Sequence, residues 1–275
     1  MTIQKHVDTP ARMPTWFIPH GAGPCFFMDW NPPQAWDKMA DFLKGLASTL
    51  PTKPRAIIVV SAHWLESIVS VTGAQAPDLI FDYYGFPEHT YELKYPAKGD
   101  SNIANQIVQS IEAAHISAKL ELSRGFDHGM FIPMMLMFPD ADVPVIQLSL
   151  NSNLDSQTHV NLGRALENLR DEGILIIGSG MSFHNMRGYG QPRFGPISDE
   201  FDDWLTQVVE LEPQMRNDAL IAWEHAPSAR LCHPPQQEEH LLPLMVAAGA
   251  ASHDKGRRVF TDRVLETSLS AFVFG

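Results

Sequence analysis

The stretch "RAIIVVSAH", residues 55–63, decides the fold class. Ile57, Ile58, Val59 and Val60 follow one another with no polar residue between them, so both faces of the segment must be covered. Strands buried on both faces belong to sheets sandwiched between helices, and such sheets are mostly parallel. Two further runs, "VPVIQLSL" (143–150) and "GILIIGSG" (173–180), carry the same signature. Residues 15–19, residues 68–72 and the tail "SLSAFVFG" (268–275) read as shorter strands. Residues 33–48, 101–114, 156–172, 198–209 and 238–248 read as helices, the first with prolines where an opening turn accepts them and the last stopped by Gly249. The expectation is an α/β fold: a single domain over residues 14–275 whose central, mostly parallel or mixed sheet is flanked by helices, behind a frayed segment 1–13.

Composition narrows the function classes. A chain of 275 residues with 44% hydrophobic content can bury one large core. Its net charge of −12 disfavours a nucleic-acid partner, because phosphate binding needs a basic surface to displace counterions. No apolar run reaches the roughly 18 residues that a membrane span needs, and the opening "MTIQKHVDTPARMP" lacks the apolar centre of a signal peptide. A soluble, cytoplasmic enzyme with a small-molecule substrate is expected, with Cys25 and Cys232 as free thiols. A homodimer is the expected assembly only because two-fold oligomers are the commonest kind.

Histidine carries the chemical signal. His20 follows "TWFIP", His63 follows "AIIVVSA" and His184 follows "ILIIGSGMSF", so three of the twelve histidines sit just past an expected strand end. In open α/β sheets ligands bind in the crevice at those ends, where residues distant in sequence meet. His240 opens the expected helix in "PPQQEEHLLPL" and His128 lies in the glycine-bounded turn "RGFDHGMF", so they supply a fourth and a fifth imidazole. His6, His89, His115, His159, His225 and His253 read as surface residues, as do Glu238 and Glu239, while His233 in "CHPPQQEEH" has no assigned direction. Trp64, Tyr83, Tyr84, Phe86, Phe126 and Phe131 are the aromatic candidates for a pocket wall. Imidazoles without thiolates suit Zn, Fe, Cu or Ni. Spacing alone leaves a zinc hydrolase and an iron oxygenase both open, and no HExxH motif is present.

The motifs "FIPHGAGP", "VVSAHW", "GFPEHTYELKYPAKG", "GFDHGMFIPMMLMFPDADVPVIQLSL", "GSGMSFHNM" and "EEHLLPLMVAAGA" together resemble the LigB-type extradiol dioxygenase superfamily, nearest its DOPA 4,5-dioxygenase-like branch. That resemblance implies a catechol substrate, O2 as co-substrate and ring opening next to the diol. By motif it implies His20, His63 and His240 as metal ligands, His184 as the acid/base and His128 as a second pocket histidine. It implies Fe(II) for activity. Protocatechuate-cleaving members carry a carboxylate where this chain has His240, and three neutral ligands make Zn(II) a competitor, with His184 a fourth ligand in the zinc form. A zinc-dependent hydrolase or a non-catalytic metal-binding relative on the same scaffold is the alternative. Gly21, beside His20, is expected to keep the backbone clear of metal and substrate.

Overall fold

The computed structural model describes residues 11–275; His6 and most of the expected frayed segment lie outside them. Met13, assigned to that segment, is buried, and its backbone N–H donates to the carbonyl of Arg170. Eight strands form one mixed sheet: β1 (Thr15–Pro19), β2 (Ala56–Glu66), β3 (Val69–Thr72), β4 (Ala118–Glu121), β5 (Val145–Asn151), β6 (Ile174–Gly180), β7 (Gly256–Val264) and β8 (Thr267–Phe274). Their order across the sheet is β4-β3-β5-β2-β6-β1-β8-β7. The centre, β5-β2-β6-β1, is parallel throughout, and the pairings β3/β5, β1/β8 and β8/β7 are antiparallel. The Ile and Val runs that announced these central strands are fully buried, which makes the fold a single α/β domain as expected.

Strand β6 shows how alternation along a strand builds the site. Successive side chains point to opposite faces. On one face a Cβ at Gly178 would lie 2.3 Å from the carbonyl oxygen of Pro243, and one at Gly180 would lie 2.1 Å from that of His240. Only glycine lets the 240–243 turn approach so closely, and the Met181 N–H then holds the His240 carbonyl at 2.9 Å. On the other face the Ser179 hydroxyl donates to the carbonyl of Gly129, tying β6 to the start of the helix His128–Met137. One tripeptide, "GSG", thereby fixes a histidine-bearing segment on each side of the sheet.

Several expectations change. His63 does not lie beyond its strand: β2 continues to Glu66, but pairing with β6 ends at Ser61 and pairing with β5 shifts between Val60 and Leu65. His63 therefore occupies the irregular stretch where the strand detaches from its neighbours. His240 does not open a helix; it sits in the turn ahead of Leu242–Ala250, placed there by the backbone contacts to β6. His128, assigned to a turn, begins a helix that is buried on nearly every side. Among the described residues no helix is long and apolar enough to cross a membrane.

Candidate metal centre and active site

Three histidines from three parts of the chain converge. One ligand nitrogen each from His20, His63 and His240 lies within 4.8 Å of the others, and the Nε2 atoms of His20 and His63 are 3.1 Å apart. Their hydrogen bonds determine which nitrogen is bare. Ser179 spends its one proton on Gly129, so towards His20 Nδ1, 3.1 Å away, its oxygen can only accept, and Nδ1 carries the proton. His240 Nδ1 donates to Glu239 Oε1 at 2.9 Å, which leaves its Nε2 free. His63 turns Nδ1 towards Asp82 Oδ2 at 3.7 Å. Outer partners of this kind fix the tautomer of metal-binding imidazoles.

The electrostatics agree with a cation at the centre. Burial, followed by the mutual repulsion of neighbouring imidazoles, holds His20, His63 and His240 well below the usual histidine range. All three are neutral at pH 7, the form a metal requires. His20 Nε2, left bare by the Ser179 contact, stands 3.1 Å from His63 Nε2, a spacing that two ligands of one cation would also show. Ligands about 2.1 Å from one ion stand roughly 3.0–3.4 Å apart for angles between the octahedral and tetrahedral values. The donor set therefore fits a transition-metal ion.

Two more histidines flank this centre. His184 stacks on His240, ring centroids 3.3 Å apart and planes within 14°. Its Nδ1 is buried without a hydrogen-bond partner among the described residues, 3.7 Å from Glu239 Oε1, and burial lowers its pKa to about 4. His128 lies against His63 with ring centroids 3.9 Å apart, and Asp82 Oδ1 accepts both from its Nδ1, at 2.8 Å, and from its backbone N–H, at 2.9 Å. Burial pushes the Asp82 carboxyl up, but the hydrogen bonds and charge of His128 outweigh it and the net shift is downward. Two other groupings could hold a cation, His63–Asp82–His128 and His184–Glu239–His240. In both, the carboxylate already accepts from a histidine Nδ1.

A buried network locks this constellation. Ser61 donates to Asp127 Oδ1 at 2.7 Å and accepts from the His63 backbone N–H at 3.2 Å, while Gln147 and Arg124 both donate to Asp127 Oδ2. Burial, then the nearby Asp82 charge, pushes the Asp127 carboxyl up. The irregular end of β2 and the start of the helix His128–Met137 are thus pinned to each other through one side chain.

A family model described as the catalytic LigB subunit of aromatic ring-opening dioxygenases matches residues 14–272. The chain belongs to the LigB family. It is 42% identical over 237 residues to the dioxygenase tasH of Hapsidospora irregularis, covering 81% of this chain and 72% of that one. It is 39% identical to a 4,5-DOPA dioxygenase extradiol of Beta vulgaris, with 87% of each chain covered, and 34% identical to one of Escherichia coli, with 90% and 89% covered. An uncharacterized Escherichia coli protein of known crystal structure superposes with a TM-score of 0.77 at 28% identity, covering 96% of this chain and all of that one. The enzyme class is that of an aromatic ring-opening dioxygenase, metal-dependent, acting on a small molecule and O2.

The LigB histidines form the floor of a cavity of about 420 Å³, within the usual size range for small-molecule sites. Of the expected aromatic wall, Tyr83, Tyr84 and Phe86 line it. Trp64, Phe126 and Phe131 do not; they are buried in the core, Trp64 beneath the Arg124 guanidinium. Trp30, Trp36, Met181, Met186, Tyr189 and Leu265 line the cavity without having been singled out; Met181 and Met186 lie within the motif that carries His184, and Trp30, Trp36, Tyr189 and Leu265 lie outside the quoted motifs. His233 faces away: it is fully buried against Phe201 and Trp223 and donates from Nε2 to the Ser182 carbonyl, supporting the loop that carries His184. His159, taken for a surface residue, is buried and satisfied on both nitrogens. Glu238 and Glu239 are not surface groups either; Glu238 pairs with Arg230 at 2.5 Å and Glu239 orients His240. Gly21 owes its place to the turn: its φ is +83° and a Cβ would lie 2.5 Å from Cys25 Sγ.

Proposed function

We propose that this LigB enzyme is an extradiol dioxygenase that opens a catechol next to its diol. The carrying observation is the set of three neutral imidazoles from His20, His63 and His240 at the floor of an aromatic-walled cavity. Fe(II) held by these three residues would supply the redox chemistry through which O2 attacks the ring.

The remaining roles fall to side chains already placed. His184, neutral at pH 7 and lining the cavity, accepts a proton from the catechol and later returns one. Glu239, at 3.7 Å, stabilises the imidazolium formed in between. His128 has Nδ1 committed to Asp82, so its Nε2 is available to hydrogen-bond substrate. Tyr83 and Tyr189 direct their hydroxyls to the backbone carbonyls of Thr90 and Phe183, at 2.5 Å and 2.8 Å, so they offer the ring faces rather than protons. Zinc in the same ligands, with His184 as a fourth, has no redox chemistry and gives an inactive form.

The test is oxygen uptake by protein stripped of metal and reloaded anaerobically with Fe(II), against a panel of catechols that includes DOPA and caffeate, with zinc-loaded protein as control. Uptake with a yellow product in the iron form alone supports the proposal. Stoichiometric iron without uptake on any catechol would sink it.

A further inference from the structure

The geometry points to the class of catechol this site takes: one whose ring substituent is uncharged and largely apolar, with discrimination against a substituent carboxylate. This rests on reading the cavity as the ring-cleaving site. The histidine floor engages the diol end of a catechol, so the substituent must meet the wall and rim. That wall is Trp30, Trp36 and Phe86, with Tyr84, Met186 and Leu265 continuing it. Among the described residues the lining contains no lysine or arginine. Hydrocarbon against such a wall gains from leaving water, whereas a carboxylate there gives up part of its hydration and meets no cationic partner.

One further observation acts in the same direction. Trp30 and Trp36 also form one side of an adjoining cavity of about 610 Å³, whose lining includes Asp29, Asp37 and Asp41, with Lys44 already bonded to Asp41 at 3.1 Å. The face behind the two indoles therefore carries negative charge.

Dihydrocaffeic acid and its methyl ester form a matched pair differing only in that charge. With the Fe(II)-reloaded enzyme, kcat/KM is expected to favour the ester at least tenfold, about 1.4 kcal/mol, with the difference in KM. Anaerobic binding of the same two compounds, followed by quenching of tryptophan fluorescence, should show the same order. Met186, 66% exposed at the rim, can be replaced without disturbing the core; Met186→Arg should bring the ester-to-acid ratio several-fold closer to one. Equal or tighter binding of the acid, or a ratio unmoved by Met186→Arg, overturns the inference. If neither compound is cleaved but the ester still binds more tightly, the ring-cleaving reading falls and the preference stands.

Discussion

Ser179→Ala tests the argument for how the metal centre is tuned. The substitution removes one oxygen from a fully buried site and leaves two groups without partners, the Nδ1–H of His20 and the carbonyl of Gly129. Each unsatisfied buried group costs about 1–3 kcal/mol, so the metal-free protein should lose roughly 2–6 kcal/mol of stability. For a chain of this size that lowers the melting temperature by about 3–10 °C. The second effect is specific. Without an acceptor at Nδ1, His20 no longer favours the tautomer with a bare Nε2, and loss of such an outer partner typically weakens metal binding about 10–100-fold. Differential scanning calorimetry of the metal-free protein reads the first effect, and competition against a chelator of known affinity reads the second. A lowered melting temperature with unchanged metal affinity would make Ser179 a structural residue and refute the tautomer argument.

The flanking groups separate in the same assays. His184→Ala should keep bound metal while turnover falls by roughly 10²–10⁴, the usual worth of a general acid/base; loss of metal instead would make it a ligand. Asp82→Asn should lower kcat, since His128 loses its orienting carboxylate at 2.8 Å, and comparing it with His128→Ala should show effects that do not add. His159 gives a pH prediction away from the metal. Its Nδ1 donates to the Asp155 carbonyl at 2.7 Å and its Nε2 accepts from the Asn151 N–H at 3.0 Å, so protonation places a proton against a donor. Burial lowers its pKa to about 4 from 6.5. Between these values the unfolded chain binds more protons, so stability is fully present above pH 6.5 and drains away as pH falls, by about 2 kcal/mol at about pH 5. Urea unfolding of metal-free His159→Gln should show a shallower pH dependence than the parent over that window; identical slopes would contradict the assignment.

What the sequence discloses follows from where each residue's partners lie. β2, β5 and β6 are legible because strands covered on both faces have to be apolar throughout. β4, "AKLE", and β7, "GRRVFTDRV", end the sheet on its two sides, and their polar and charged residues, useful against edge pairing, mask them as strands. The helix His128–Met137 escapes because "HGMFIPMMLM" has no polar face to give a helical period and contains Pro133. His20, His63, His240, His184 and His128 could be found because their residue type and motifs mark them. Asp82 and Glu239 could not: a carboxylate acquires its role by touching an imidazole, and Asp82 reaches His128 across more than forty residues. The burial of His159 did have a local trace, since Ser156, His159, Val160 and Gly163 fall on one buried face of their helix.

The three-histidine centre also bears on how the protein comes into being. Its members leave the ribosome far apart in time, His20 some 220 residues ahead of His240. Strand β1, which carries His20 to its place, pairs on one side with β8, the C-terminal strand. No chain shorter than about 240 residues holds all three histidines, so a metal ion bound by them cannot template the early steps of folding as it does in a zinc finger. The ion enters a finished domain, and it stabilises that domain only by mass action, in proportion to the logarithm of its free concentration. With the ligand set proposed above, the metal carried is decided after folding by what is offered to a preformed cage, so metal supply during expression is expected to set the activity of the isolated protein.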